Sequence, residues 1–148
     1  THKKVDAALK AGGDAVGAQT VIATMPGQLP LACNNSLNEL FVANAKIADP
    51  NVAVKDAGHF SASTDMGDVS HLLPVIHPFI GGVDGFLHTA DFHVVDFKKA
   101  VLLPAKAFAM MIIDLLADDA KLARQIKAEH HPLLTKEAYI AKLDKYFQ

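Results

Sequence analysis

The chain has 148 residues, of which 51% are hydrophobic and 20% charged, with a formal net charge of −2 at pH 7 and one cysteine. This composition is typical of one globular domain with a sizeable core, and the scattered basic residues argue against a nucleic-acid partner. A lone cysteine excludes an internal disulfide and favours a reducing compartment such as the cytoplasm.

The first predicted elements are a helix and a strand. Val5, Leu9 and Val16 stand at near-helical spacing, which predicts a helix over residues 4–17. Residues 19–27, QTVIATMPG, are rich in β-branched side chains and predict a strand. One helix and one strand cannot bury two apolar faces, so this opening unit must pack on something else.

The next predicted element is a helix that begins at Ser36. Ser36 and Glu39, three residues later, form the pattern of a capping box. Apolar residues on one face then continue until Asp49 and Pro50 end the helix. Residues 51–58, NVAVKDAG, predict a short strand.

Residues 63–74, STDMGDVSHLLP, predict a turn that enters a short helix. Asp65 and Asp68 are three residues apart, so both carboxylates can face one side of its first turn. One interpretation is a substrate-positioning loop that orients His71 toward a site. The other is that the aspartates and serines of this stretch only cap the helix, as helix starts favour.

Two apolar runs of strand length follow, residues 75–83 and residues 85–92, GFLHTADF. In the second run His88 is expected to emerge near the end of a strand, which is a rigid mount for a metal ligand. The alternative is that His88 is a structural histidine near the core, with its ring nitrogens hydrogen-bonded to other protein groups. From Asp96 onward the sequence predicts a long apolar helix to about residue 117, a second helix after ADDA and a last one in TKEAYIAKLDKYF.

The alternation of predicted strands and helices indicates a layered α/β architecture. The most apolar stretch, residues 100–117, is interrupted by Pro104, Lys106 and Asp114. A membrane span needs a run of about 20 apolar residues, so this stretch predicts a buried core helix and no membrane partner.

The chain has no glutamate between Leu40 and Ala128. Hydrolysis by a metal-activated water usually needs a general base, often a glutamate, and a metal ion needs three or four protein ligands. Of the histidines in this stretch, His88 alone has an argued ligand position. The sequence therefore predicts half of a metal site and no catalytic residue.

Four segments carry a resemblance: ALKAGGDAVGAQTVIATMPGQLPL, STDMGDVSHLLP, GFLHTADF and KKAVLLPAKAFAMMIIDLLAD. Together they resemble the C-terminal part of M20-family metallopeptidases, in the branch of amidohydrolases related to the aminobenzoyl-glutamate utilization proteins. STDMGDVSH and LHTADF are the specific parts. The resemblance implies that residues 1–31 are the last helix and strand of a ferredoxin-like α+β lid and dimerisation domain. Residues 32–148 would be the C-terminal half of the α/β catalytic domain.

The resemblance also implies roles for individual residues. His88 matches the family's final metal-binding histidine, and Asp65, Asp68 and His71 match a loop beside the site, where they would bind substrate or support the ligands. The complete enzyme would be a homodimer that holds two divalent ions, zinc or manganese. It would hydrolyse the amide bond of an N-acyl or aminobenzoyl amino acid or a peptide.

In this family the other ligands and the glutamate base precede the inserted lid domain, and they have no counterparts here. The N-terminal half of the enzyme is therefore an expected partner, and the chain alone is expected to be inactive. The alternative from another class is a non-catalytic binding or assembly domain that keeps the fold.

Overall fold

The secondary structure is mostly helical in this computed structural model, which describes residues 2–56, 58 and 62–145. The chain divides into two compact units, Thr1–Gly27 with Glu137–Gln148, and Gln28–Lys136. In chain order the elements are α1 (His2–Ala15), α2 (Asn35–Ala48), α3 (Met66–Ser70), β1 (Val83–Asp84), β2 (His93–Val94), a π-helical turn (Lys98–Leu102), α4 (Leu103–Glu129) and α5 (Lys136–Asp144).

The predicted layered α/β architecture is wrong. Helices make up 54% of the structure, and the described residues form only two short strands, which pair antiparallel as a hairpin. A layered α/β fold needs a sheet with helices packed on its faces, and two strands of two residues cannot supply one. The assignment of residues 1–31 to a lid domain and of residues 32–148 to a catalytic half stays a prediction.

The strands predicted at residues 19–27 and 51–58 are absent from their described residues. In the first run Val21 is 84% exposed and Met25 is 83% exposed. A strand becomes stable when its N–H and C=O groups pair with a neighbouring strand and one face is buried. The described part of this unit offers no such neighbour. β-branched composition alone was therefore not enough to form a strand, and the strand expected from the ferredoxin-like domain is absent from these residues.

The core of the Gln28–Lys136 unit is the contact between α2 and α4. The Phe41 and Phe108 rings reinforce it, with centroids 4.9 Å apart. Asn44 is 3% exposed, and its Nδ2 donates to Asp114 Oδ2 at 2.7 Å and to Leu40 O at 3.1 Å, which satisfies the buried amide. The buried apolar members are Leu37, Phe41, Ala45, Ala107, Met111 and Ile126.

Asn34, and not the predicted Ser36, caps the start of α2. The Asn34 side-chain oxygen accepts a hydrogen bond from the Leu37 N–H at 3.0 Å. The Asn34 N–H donates to the Val75 carbonyl at 2.8 Å, and this contact from a distant segment helps to fix the first turn two residues earlier than the capping-box pattern suggests. At the other end, Asp49 terminates the helix as predicted.

α4 departs from regular helix geometry in two places. At its start the Leu103 N–H bonds the Lys98 carbonyl in a π-helical turn, because Pro104 has no N–H and its ring crowds the carbonyl four residues earlier. Across Ala117–Ala120 the backbone leaves the helical region, and three consecutive residues have φ of 49°, 58° and 55°. α4 is therefore two helical segments, as the ADDA sequence predicts.

By length and composition the helical stretch Lys98–Glu129 could cross a membrane, a criterion that core helices of soluble proteins also meet. Only 17% of its most apolar window is buried. The predicted core helix therefore packs on α2 along one face, and its other face leaves large apolar side chains uncovered: Ile112, Ile113 and Leu116.

Candidate functional site

Polar side chains of α3 bind the backbone of the segment before α2. Asp68 Oδ1 accepts a hydrogen bond from the Leu29 N–H at 2.9 Å. The Ser70 hydroxyl, which is 1% exposed, accepts from the Ala32 N–H at 3.0 Å. Buried donors need partners, so these two side chains satisfy backbone groups that no helix or sheet would satisfy.

His71 and Gly67 extend the same contact. His71 Nε2 lies 2.9 Å from the Pro30 carbonyl oxygen and donates to it in the tautomer that carries the proton on Nε2. Gly67 is buried beneath Leu29, and a Cβ at Gly67 would overlap the Leu29 carbonyl oxygen. Glycine is therefore required where the two segments approach most closely.

Asp65 differs from these residues. It is exposed at the start of α3, and its side chain makes no capping hydrogen bond. The Met66 N–H instead contacts Thr64 Oγ1 at 3.4 Å. Asp68, the other aspartate of this stretch, bonds a remote segment and does not cap its own helix. The substrate-binding roles of Asp65, Asp68 and His71 stay predictions.

His88 lies in the loop between β1 and β2, not at the end of a strand, so the strand predicted over GFLHTADF is wrong. Gly85, with φ of 87°, turns the chain, and its N–H donates to Asp84 Oδ1 at 2.8 Å. The Thr89 N–H donates to the Phe86 carbonyl oxygen at 3.3 Å and closes the turn. These local contacts replace the ladder that a strand would need.

The His88 side chain is displayed to solvent. Its residue is exposed, and within residues 2–56, 58 and 62–145 no hydrogen bond or ion pair engages its imidazole. Its φ of 65° places it in the left-handed region, which is uncommon for non-glycine residues although histidine adopts it more readily than most. Such conformations cluster at functional sites, which makes His88 the most distinctive residue of the loop.

Asp91 places a negative charge in the same loop. The Thr89 hydroxyl donates a hydrogen bond to the Asp91 carboxylate. This bond is the main reason that the pKa of Asp91 lies below its ordinary value of 3.8, and backbone hydrogen bonds lower it further. His93 Nδ1 lies 2.6 Å from the Asp91 carbonyl oxygen. The loop around His88 is therefore anionic at neutral pH.

The four predicted site residues do not form one ligand set. Among the residues that the structure describes, no group of three or more histidine, cysteine, aspartate or glutamate side chains could hold a metal ion. Asp68 and His71 bond the segment before α2, while His88 stands on the hairpin. The described residues do not fit a complete metal centre by themselves, so an ion at His88 would need donors from elsewhere.

A cleft of about 410 Å³ lies between the start of α2 and the end of α4. Cys33, Asn34, Glu129, His130 and His131 line it, and the Nε2 atom of His130 is buried without a hydrogen-bond partner. No sequence motif indicated this cleft, because its walls are far apart in the chain and meet only through the contact between α2 and α4. Nothing in the sequence indicated that Cys33, the single cysteine, lines this cleft.

Comparisons of the chain with protein-family models, with curated proteins and with solved structures found no match. They therefore assign no family. The resemblance to M20-family enzymes rests on the four quoted segments, and chiefly on STDMGDVSH and LHTADF.

Proposed function

We propose that this chain is the C-terminal portion of a metal-dependent amidohydrolase of the M20 type and contributes one metal ligand, His88. The observation that carries the proposal is the exposed imidazole of His88, held in a left-handed conformation inside the LHTADF segment. Neutral imidazole is the commonest protein ligand of metals. The backbone hydrogen bonds donated by Gly85 and Thr89 fix the loop, so little ordering is needed when an ion binds.

The complete enzyme would hydrolyse the amide bond of an N-acyl or aminobenzoyl amino acid or a peptide. When bound, a pair of divalent ions, zinc or manganese, would supply an activated water. The described residues contribute one ligand at most to such a pair, so we assign no catalytic step to them. The glutamate base and the remaining ligands would come from the N-terminal half.

Under this proposal, the polar residues at and around α3 have two roles: some hold a neighbouring segment in place and one is free to contact substrate. Asp68 and His71 already bond Leu29 and Pro30, so they would position the segment beside the site rather than touch substrate. Asp65 is exposed and its side chain makes no capping bond, so it is the α3 carboxylate available to a substrate.

The test uses the complete polypeptide that the gene encodes, with aminobenzoyl-glutamate as substrate and zinc or manganese added. His88→Ala should remove one of about four donors at one ion, so metal content should fall and turnover should drop by orders of magnitude. His2→Ala, which removes an exposed histidine of α1 that lines neither the cleft nor the hairpin, is the matched control and should leave both unchanged. The 148-residue chain alone should show no turnover.

Two results would contradict the proposal. One is a His88→Ala variant with full metal content and wild-type turnover. The other is chelator-sensitive hydrolysis by the isolated chain. A non-catalytic binding or assembly domain is the second candidate, because the described residues bring no three metal-binding side chains together. It predicts that the complete polypeptide binds no divalent ion at His88.

A further inference from the structure

The backbone between the two segments of α4 is strained. Asp118, Asp119 and Ala120 follow one another with φ of 49°, 58° and 55°. In this left-handed region the Cβ approaches the following carbonyl oxygen, so single residues adopt it and runs of residues do not. Aspartate tolerates it better than alanine, which makes Ala120 the least favourable of the three. Glycine would relieve the strain, but the chain has no glycine after Gly85.

The local sequence does not require this bend. Sharp kinks in helices usually occur at proline or glycine, and residues 105–129 contain neither. The two aspartates of ADDA weaken a helix without forbidding it, and the residues that follow, KLARQIKAE, are mostly good helix formers. Residues 117–120 could therefore be helical as well, and contacts with the rest of the chain must hold the bent form.

Two apolar side chains of the second segment, residues 121–129, supply those contacts. Ile126 is 5% exposed in the core with α2, and the partly buried Leu122 packs against the same core. Arg124 pairs with Asp119 across the bend, but both side chains are mostly exposed, so this ion pair contributes little. The bent form is therefore a balance between apolar burial, which favours it, and backbone strain, which opposes it.

The second segment also carries one wall of the cleft. Glu129, His130 and His131 line the cleft together with residues 32–36 at the start of α2. The His130 N–H bonds the Ile126 carbonyl, so this wall moves with the segment. Release of Ile126 from the core would therefore carry the wall away from α2. The Leu134 N–H bonds the His71 carbonyl, which makes residues 130–133 the connection that would extend.

We propose that residues 117–120 are a hinge that opens and closes this cleft. In the closed form, which the structure shows, the second segment of α4 is bent onto α2. In the open form residues 117–120 are helical, and the second segment continues the first as one helix, with the cleft wall displaced from the start of α2. The hinge does not depend on the role proposed for His88.

Thiol labelling measures how often the second segment leaves the core. Ile126→Cys and Met111→Cys are each introduced with Cys33→Ser into the 148-residue chain, and each rate is divided by the rate of the same thiol in urea. Both positions are 5% exposed in one core, but only position 126 leaves it in the open form. The thiol at position 126 should therefore react at least about 10-fold faster than the thiol at position 111.

Substitutions at the hinge should change the rate at position 126 in opposite directions. Ala120→Gly relieves the closed form and weakens the helix of the open form, so the rate should fall about 5-fold or more. Asp118→Ala with Asp119→Ala does the reverse and should raise it about 5-fold or more. Ala109→Gly is the matched control: residue 109 is exposed and helical in both forms, so the rate should not change.

The same assay distinguishes the hinge from unwinding of the second segment. Ala128 is exposed and helical in both proposed forms, so Ala128→Gly should leave the rate at position 126 unchanged. If the segment instead unwinds when it leaves the core, Ala128→Gly should raise that rate about 3-fold, which would overturn the proposal. Equal rates at positions 126 and 111, or no slowing by Ala120→Gly, would also overturn it. Leu122→Cys replaces Ile126→Cys if the latter does not fold, with the same expected results.

Discussion

Around α3, Asp68, Ser70 and His71 each bond a backbone group of the segment before α2, whereas His88 on the hairpin bonds no residue that the structure describes. Both regions are rich in aspartate, histidine and hydroxyl side chains. The difference comes from whether a remote segment of the chain passes over them. The chemical type of a side chain therefore does not decide whether it stabilises the fold or remains available to a ligand.

The two regions also differ in what their hydrogen bonds can stabilise. The bonds of Asp68 and His71 join residues 39 and 41 positions apart, so they fix tertiary structure. The side-chain bonds of the hairpin loop join residues at most three positions apart, so they fix only the shape of the loop. Substitutions at α3 should therefore change global stability more than substitutions in the hairpin do.

The largest effect is expected for Gly67→Ala. Alanine in a helix is favoured over glycine by about 1 kcal/mol, but its Cβ would overlap the Leu29 carbonyl oxygen. Because the overlapped atom belongs to the backbone, the cost lies at the upper end of the about 1–3 kcal/mol that overpacking carries, so the free energy of unfolding in urea should fall by about 2 kcal/mol net. Gly81→Ala, where a Cβ meets no atom within 4 Å, is the control and should be close to neutral. A Gly67→Ala chain as stable as the parent would show that the segment over α3 is not held tightly.

An intermediate effect separates the two aspartates of α3. Asp68→Ala leaves the Leu29 N–H without its acceptor and should lower the free energy of unfolding by about 1–2 kcal/mol. Asp65→Ala, three residues earlier and without a capping bond, should change it by less than about 0.5 kcal/mol. Asp68→Asn keeps the accepting oxygen and should recover most of the loss. Equal effects of the two alanine variants would remove the distinction drawn between these carboxylates.

The smallest effect concerns the hairpin and its pH dependence. The Thr89 hydroxyl lowers the pKa of Asp91, so ionised Asp91 stabilises the loop above the ordinary carboxyl pKa, and that contribution is lost as the pH falls through the lowered folded value. Thr89→Val should raise the pKa of Asp91 toward its ordinary value, as an NMR titration of the carboxyl carbon would measure. Thr89→Ser keeps the hydroxyl and should leave the pKa low. A Thr89→Val titration identical to that of the parent would refute this cause.

The helices could be predicted from the sequence because their signals are local. Apolar spacing, the terminating Asp49 and the ADDA break all lie within the elements that they define. The strands could not be predicted in this way, since a strand depends on a partner elsewhere in the chain. Residues 19–27 have strand composition but no neighbouring strand among the described residues, and they carry no regular structure.

The candidate site was predictable only in part. The LHTADF segment marks His88 as a candidate ligand, but its composition predicts a strand where the structure has the Gly85 turn and a left-handed backbone at His88. The partners of Asp68 and His71 lie in a segment that no spacing rule connects to α3. The sequence therefore shows which residues could act as ligands or hydrogen-bond partners, but only the tertiary structure shows which of them are already bonded to another segment.

The interruption of α4 at Ala117–Ala120 has a consequence for cooperativity. Helix propagation adds one hydrogen bond for each residue that joins, and left-handed residues stop it, so helical order in the first segment cannot extend into the second. A helix as short as residues 121–129 is marginal by itself in water. It persists because Ile126, 5% exposed, packs in the core with α2 and the partly buried Leu122 packs against the same core. The wall of the cleft formed by Glu129, His130 and His131 therefore keeps its shape through the packing of two apolar side chains rather than through the length of its helix.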